Sequence, residues 1–123
     1  YNVNPFNENI SADGLFDVSF RFKEGGSIVG IADRFAENDN YNDILNAISL
    51  QSNIMFKYES GTDSNLGAAS ISDTFRIRNL NGNKVEYLKN DVVINSVTPA
   101  TNSLLKIKIF IPANNSGIEI LNY

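Results

Sequence analysis

Asp33, Glu37, Asp39 and Asp43 form the densest titratable cluster in the sequence. Paired carboxylates can divide acid and base roles in glycoside hydrolysis when one of them sits in a dry cleft that raises its pKa. Here the neighbours are Asn, Ala and more carboxylates, which favours a solvated stretch over a catalytic one. The same oxygens suit a hard cation, and Asp39 and Asp43 are the first residues to name for calcium. The stretch lacks the EF-hand spacing and its Gly, and Asp63 with Asn65 is a weaker second set. No metal or cofactor is therefore expected.

Other chemistry is limited by what the chain lacks. It has no His, Cys or Trp. This excludes disulfides, Cys- or His-ligated zinc, haem held by His or Cys, and Ser-His-Asp or Cys-His nucleophile systems within the chain. Gly25-Gly26 and Gly61 lack the phosphate-loop pattern. The expectation is a chain that is not an enzyme, with a small hydrolase using carboxylates as the least favoured reading.

Sugar recognition needs aromatic platforms beside amides and carboxylates. The chain has 19 Asn among its 123 residues, and Tyr1, Tyr41 and Tyr123 are candidates for exposed platforms. Tyr58 and Tyr87 fall on core-facing phases of their strands, with their hydroxyls reaching water. Asn9-Ile10-Ser11 and Asn114-Asn115-Ser116 match the glycosylation pattern, but chance matches are expected in so Asn-rich a chain.

The net charge of -4 argues against a nucleic-acid partner. Residues 33–73 hold seven acidic and two basic residues, against two and six in residues 74–111. The surface is polarised if those segments lie apart, whereas cross-strand pairing between them would erase the difference. No apolar run approaches the roughly 18 residues of a membrane span, and the opening residues lack a leader's apolar segment.

The elements that must position these residues follow mainly from alternation. Leu15–Lys23 places Phe16, Val18, Phe20 and Phe22 on one strand face. Glu24–Ser27 is a turn, and Ile28–Ala32 a short strand weakened by Gly30. Tyr41, Ile44, Leu45 and Ile48 share a helical face, predicting a short helix near residues 40–50 capped by Asp39 or Asn40. A strand from Ile44 to Leu50 competes with it. Asn53–Glu59 alternates with Ile54, Phe56 and Tyr58 inward. Residues 60–73 read as the longest loop, a candidate contact surface.

Thr74–Tyr87 carries a hairpin signal. A three-residue loop, Leu80 to Gly82, pairs Ile77 with Val85, Arg76 with Glu86 and Phe75 with Tyr87, with Gly82 left-handed. Gly82→Ala should then cost about 1 kcal/mol. Asp91–Val97, Leu105–Ile111 and Ile118–Tyr123 complete seven or eight strands. The expected core is Phe16, Val18, Phe20, Phe22, Phe56, Phe75, Ile77, Val85, Tyr87, Leu105, Ile107 and Ile109.

These elements predict an all-β chain: an antiparallel two-sheet β-sandwich, jelly-roll or immunoglobulin-like, with one short helix, or a small β-barrel. Residues 1–14 read as a polar arm pinned by Phe6, and residues 15–123 as one domain. The leading functional expectation is a structural or interaction module of a virion, such as a capsid decoration, or of a bacterial cell surface. Its partners would be other protein subunits in a homo-oligomer or larger assembly, docked through the arm, residues 60–73 or an outward Phe110. A carbohydrate-binding module is the alternative.

Overall fold

The computed structural model describes residues 2–3, 15–33, 44–80, 84–98, 105–111 and 117–122. They form eleven strands: β1 (Asn2–Val3), β2 (Phe16–Phe22), β3 (Ile28–Asp33), β4 (Ile44–Gln51), β5 (Ile54–Glu59), β6 (Thr62–Ala68), β7 (Phe75–Asn79), β8 (Val85–Lys89), β9 (Val92–Val97), β10 (Leu105–Ile111) and β11 (Ile118–Asn122). One sheet has six strands in the order β1-β10-β3-β4-β5-β6, and the other has five in the order β11-β2-β7-β8-β9. Every pairing is antiparallel. The expected sandwich is thus present as two separate sheets, and no helix occurs among the described residues.

The core lies between the sheets. Phe16, Val18, Phe20 and Phe22 of β2 are all buried there, with Phe75, Ile77, Val85 and Tyr87 from the same sheet and Val29, Ile31, Ile48, Leu50, Met55 and Ile109 from the other. Alternation along β2 is what delivers four large groups to one face. Phe22 meets Phe20 and Phe75 edge to face, with centroids 5.5 and 5.3 Å apart. A second buried cluster, Ile28, Ile44, Ala47 and Tyr58, lies on the other face of the six-stranded sheet. The side chains of Leu105, Ile107 and Phe110 lie outside the described residues, as do Phe6 and the rest of residues 4–14.

Four expectations are corrected. The segment predicted as a helix is strand β4 from Ile44 onward. It lies between β3 and β5 with both faces buried, so its apolar residues do not alternate and their spacing imitates a helical stripe. Residues 60–73 are not one loop, because β6 occupies half of them and pairs with β5 from Glu59↔Thr62 to Ile54↔Ala68. The phase of β5 is reversed: Met55 enters the core, and Phe56 is half-buried on the outer face.

The β7–β8 hairpin is displaced by two residues, with Ile77 opposite Tyr87 and Arg78 opposite Glu86. A two-residue displacement preserves every face. The three-residue loop would have set Arg78 opposite Lys84, and the displacement gives it instead an ion pair with Glu86 at 2.9 Å. Gly82 lies outside the described residues.

Three hairpins close through two-residue turns with positive φ at both positions: Ser52-Asn53 (52°, 59°), Ser60-Gly61 (51°, 88°) and Asn90-Asp91 (51°, 64°). This is the type I′ geometry that matches strand twist. Ser is a poor residue for that region. Ser60→Asn creates the favoured Asn-Gly pair, and the expected gain is about 0.5 kcal/mol, read as a higher urea midpoint.

The outer face of the five-stranded sheet is a charge ladder. Arg76 pairs with Asp17 and Asp91, and Arg21 with Glu119. None of these pairs joins residues 33–73 to residues 74–111, so they do not erase the charge difference between those two segments.

Candidate functional site

Two polar constellations stand out, one on each face of the β4–β5–β6 meander. The first is on the outer face. Register aligns Ser49 with Phe56 and Phe56 with Asn65, and aligns Tyr58 with Asp63. Side chains directly opposite in an antiparallel ladder share a face. Ser49, Phe56, Tyr58, Asp63 and Asn65 therefore form one surface, which Gln51 joins through its side chain. Gln51 Nε2 donates to Tyr58 Oη at 2.8 Å and to Ser49 Oγ at 3.1 Å, which fixes the amide's orientation. The Gly67 N–H donates to Asn65 Oδ1 at 2.8 Å, holding that side chain at the bulge of β6. Asp63 and Asn65 are exposed and Phe56 and Gln51 half-buried, while Ser49 and Tyr58 are buried beneath them. The result is a row of amides, a carboxylate and hydroxyls beside an aromatic ring.

The second constellation lies between the sheets. Because β5 runs with Met55 inward, Lys57 and Glu59 also face the opposite sheet. Lys57 Nζ lies 3.0 Å from Glu59 Oε1 and donates to Asn95 Oδ1 at 3.0 Å. The same ammonium stands 5.8 Å from the centroid of the Tyr87 ring. The Tyr87 hydroxyl donates to Glu59 Oε2 at 3.2 Å and accepts from Asn46 Nδ2 at 3.0 Å. Burial pushes the Tyr87 phenol well above its ordinary pKa. The Asn46 hydrogen bond opposes that shift, and the Glu59 charge adds to it. Tyr87 therefore stays a neutral donor.

The residues singled out from the sequence divide accordingly. Asp33 closes β3 opposite Leu105. Glu37, Asp39, Asp43 and Tyr41 lie outside the described residues, as do Tyr1 and Tyr123. Among the described residues no group of His, Cys, Asp or Glu is arranged to hold a metal ion. Asp63 and Asn65 come together with Tyr58. Tyr58 is buried on the outer face rather than in the core, and Tyr87 is in the core as expected, but its hydroxyl is held by Asn46 and Glu59 instead of reaching water. Lys57, Glu59 and Asn95 were not singled out, because on an alternating strand Lys57 and Glu59 have the pattern of a solvent face.

The fold has known counterparts. The chain matches the TRIM65 PSpry domain with a TM-score of 0.70 and 9% identity, over 94% of this chain and 68% of that one. It matches stonustoxin with a TM-score of 0.68 and 15% identity, over 93% of this chain but only 21% of the toxin chain. The Caenorhabditis elegans galectin LEC-6 matches with a TM-score of 0.55 and 13% identity, over 94% and 86% of the two chains. At these identities the likeness is one of fold. No family model matches the chain, and no curated protein sequence does.

Proposed function

We propose that the chain is a non-enzymatic β-sandwich binding module that recognises carbohydrate on the outer face of β4–β6. The observation that carries this reading is the alignment of Gln51, Phe56, Tyr58, Asp63 and Asn65 on one rigid surface. Sugars are bound by planar amide and carboxylate groups that match paired hydroxyls, with an aromatic ring against the apolar sugar face. Here the groups sit on strands rather than loops, so little conformational entropy is lost when they engage a ligand. The galectin likeness supports the reading at the level of fold.

A glycan array followed by titration of the best binder tests it. Asp63 is exposed, so Asp63→Ala should leave the fold intact and weaken binding about tenfold, the loss of one charge-assisted hydrogen bond. A silent array with the parent chain would overturn the proposal.

A contact with another protein subunit is the second reading, favoured by one observation. Edge strand β9 exposes Val92 (60%) and Val93 (42%), and Val92–Val97 contains no charged residue to discourage strand pairing. A silent array together with self-association in light scattering, abolished by Val93→Lys, would favour this reading.

A further inference from the structure

The contacts of Lys57 have a chemical consequence independent of the outer-face site. A primary amine, a side-chain amide and a carboxylate meet between the sheets. Lys57 Nζ is 3.0 Å from Asn95 Oδ1 and 3.0 Å from Glu59 Oε1. Lys57 belongs to β5 of the six-stranded sheet, and Asn95 to β9 of the five-stranded one. We propose that these groups react to form an intramolecular amide between Lys57 and Asn95, with Glu59 as the proton carrier. The bond would staple the two sheets of a chain that has no Cys for a disulfide.

The reaction balances without an oxidant or co-reactant. Glu59 takes a proton from the Lys57 ammonium, leaving an amine and a carboxylic acid. The Nζ lone pair attacks Cγ of Asn95 while the acid protonates Oδ1, giving a tetrahedral centre. Glu59 then removes a proton from the attached Nζ and delivers it to the Asn95 Nδ2 group. The Cγ–Nδ2 bond breaks, ammonia leaves and the carbonyl re-forms as its proton returns to Glu59. Ammonia finally takes that proton and departs as ammonium.

The surroundings suit this chemistry. The Lys57 side chain is 13% exposed and that of Glu59 30%. Tyr87 is fully buried beside them, and Asn46 is only 8% exposed. Tyr87 acts as a positioning residue: its hydroxyl holds Glu59 Oε2, leaving Oε1 toward the amine. Holding amine and amide in contact replaces an encounter in solution, the largest obstacle for two such weak partners.

Intact mass spectrometry of the purified, folded full chain tests the proposal. The expected mass is below the sequence mass by one ammonia. Asn81-Gly82 could lose ammonia alone through a succinimide, so the deciding evidence is a branched peptide joining the β5 and β9 segments after proteolysis, with trypsin failing to cut at Lys57.

Lys57→Arg keeps the cation but cannot form the bond, and Asn95→Ala removes the acceptor. Each should abolish the branched peptide while circular dichroism still reports strands. Glu59→Gln should slow its formation about a hundredfold or more, the contribution of a positioned acid-base group. Folded parent protein without the branched peptide after prolonged incubation overturns the proposal, even if every variant fails to fold. Cross-linking of Glu59→Gln at the parent rate removes Glu59 from the mechanism.

Discussion

Gly30→Ala is expected to unfold at a much lower urea concentration than the parent chain, with a loss of about 3 kcal/mol, the upper end for overpacking a closed site. Gly30 sits in β3 opposite Ala47 of β4 and Lys108 of β10, and it is buried. A Cβ added there would stand 2.3 Å from the Asn46 carbonyl oxygen, 2.4 Å from Ala47 Cβ and 2.7 Å from Ala47 Cα. Two of these three atoms are backbone, so relief requires β3 and β4 to separate. Gly67→Ala is the control. Gly67 has a φ of 113° but nothing within 4 Å of an added Cβ. Its cost is therefore conformational alone, about 1 kcal/mol. Equal losses at the two positions would contradict the close approach of β3 and β4.

Tyr87→Phe is the second large effect, a loss of about 2 kcal/mol from leaving buried polar groups without their partner. The ring is retained, so packing changes little. The loss comes from Asn46 Nδ2, which donates to the hydroxyl, and from Glu59 Oε2, which accepts from it. The pH dependence gives a separate readout. The unfolded Tyr87 ionises near pH 10.0, whereas in the folded chain its pKa is raised. Above pH 10 the unfolded chain therefore binds fewer protons, and parent stability falls as pH rises. Tyr87→Phe should flatten that decline. An unchanged alkaline slope would mean that the hydroxyl is not held in the buried network.

How legible the fold was in the sequence depended on how many faces of each strand are covered. β2 and β7 have one core face and one charged face, so Phe16–Phe22 and Phe75–Asn79 announce themselves by alternation. β4 is covered on both faces, and Ile44, Leu45 and Ile48 lose the period that separates strand from helix. β6 was hidden for the opposite reason. Thr62–Ala68 is an exposed edge of small and polar residues with little strand propensity, held by its ladder to β5.

The site was partly legible. Asp63 and Asn65 could be recognised as oxygen-bearing groups, but their alignment with Tyr58 depends on the register of β6, which their own spacing does not encode. The Lys57–Glu59–Asn95 contact was hidden by the strand phase. Phe56 and Tyr58 outweigh Met55 in a hydrophobic count, yet the outer face also needed large groups for its own cluster with Ile28 and Ile44.

The order of strands has a consequence during synthesis on the ribosome. β3-β4-β5-β6 and β2-β7-β8-β9 are each contiguous four-stranded sheets, and both are complete in the chain once residue 97 has been made. β10 then adds beside β3, and β11 adds to β2, so the last two described segments seal the same flank of both layers, opposite the side where β5 faces β9. Until residues 105–122 emerge, β2 and β3 each present an unpaired backbone edge flanked by buried Phe and Ile side chains. That interval, rather than the finished sandwich, is when this chain is most exposed to strand-to-strand aggregation with its neighbours on a polysome.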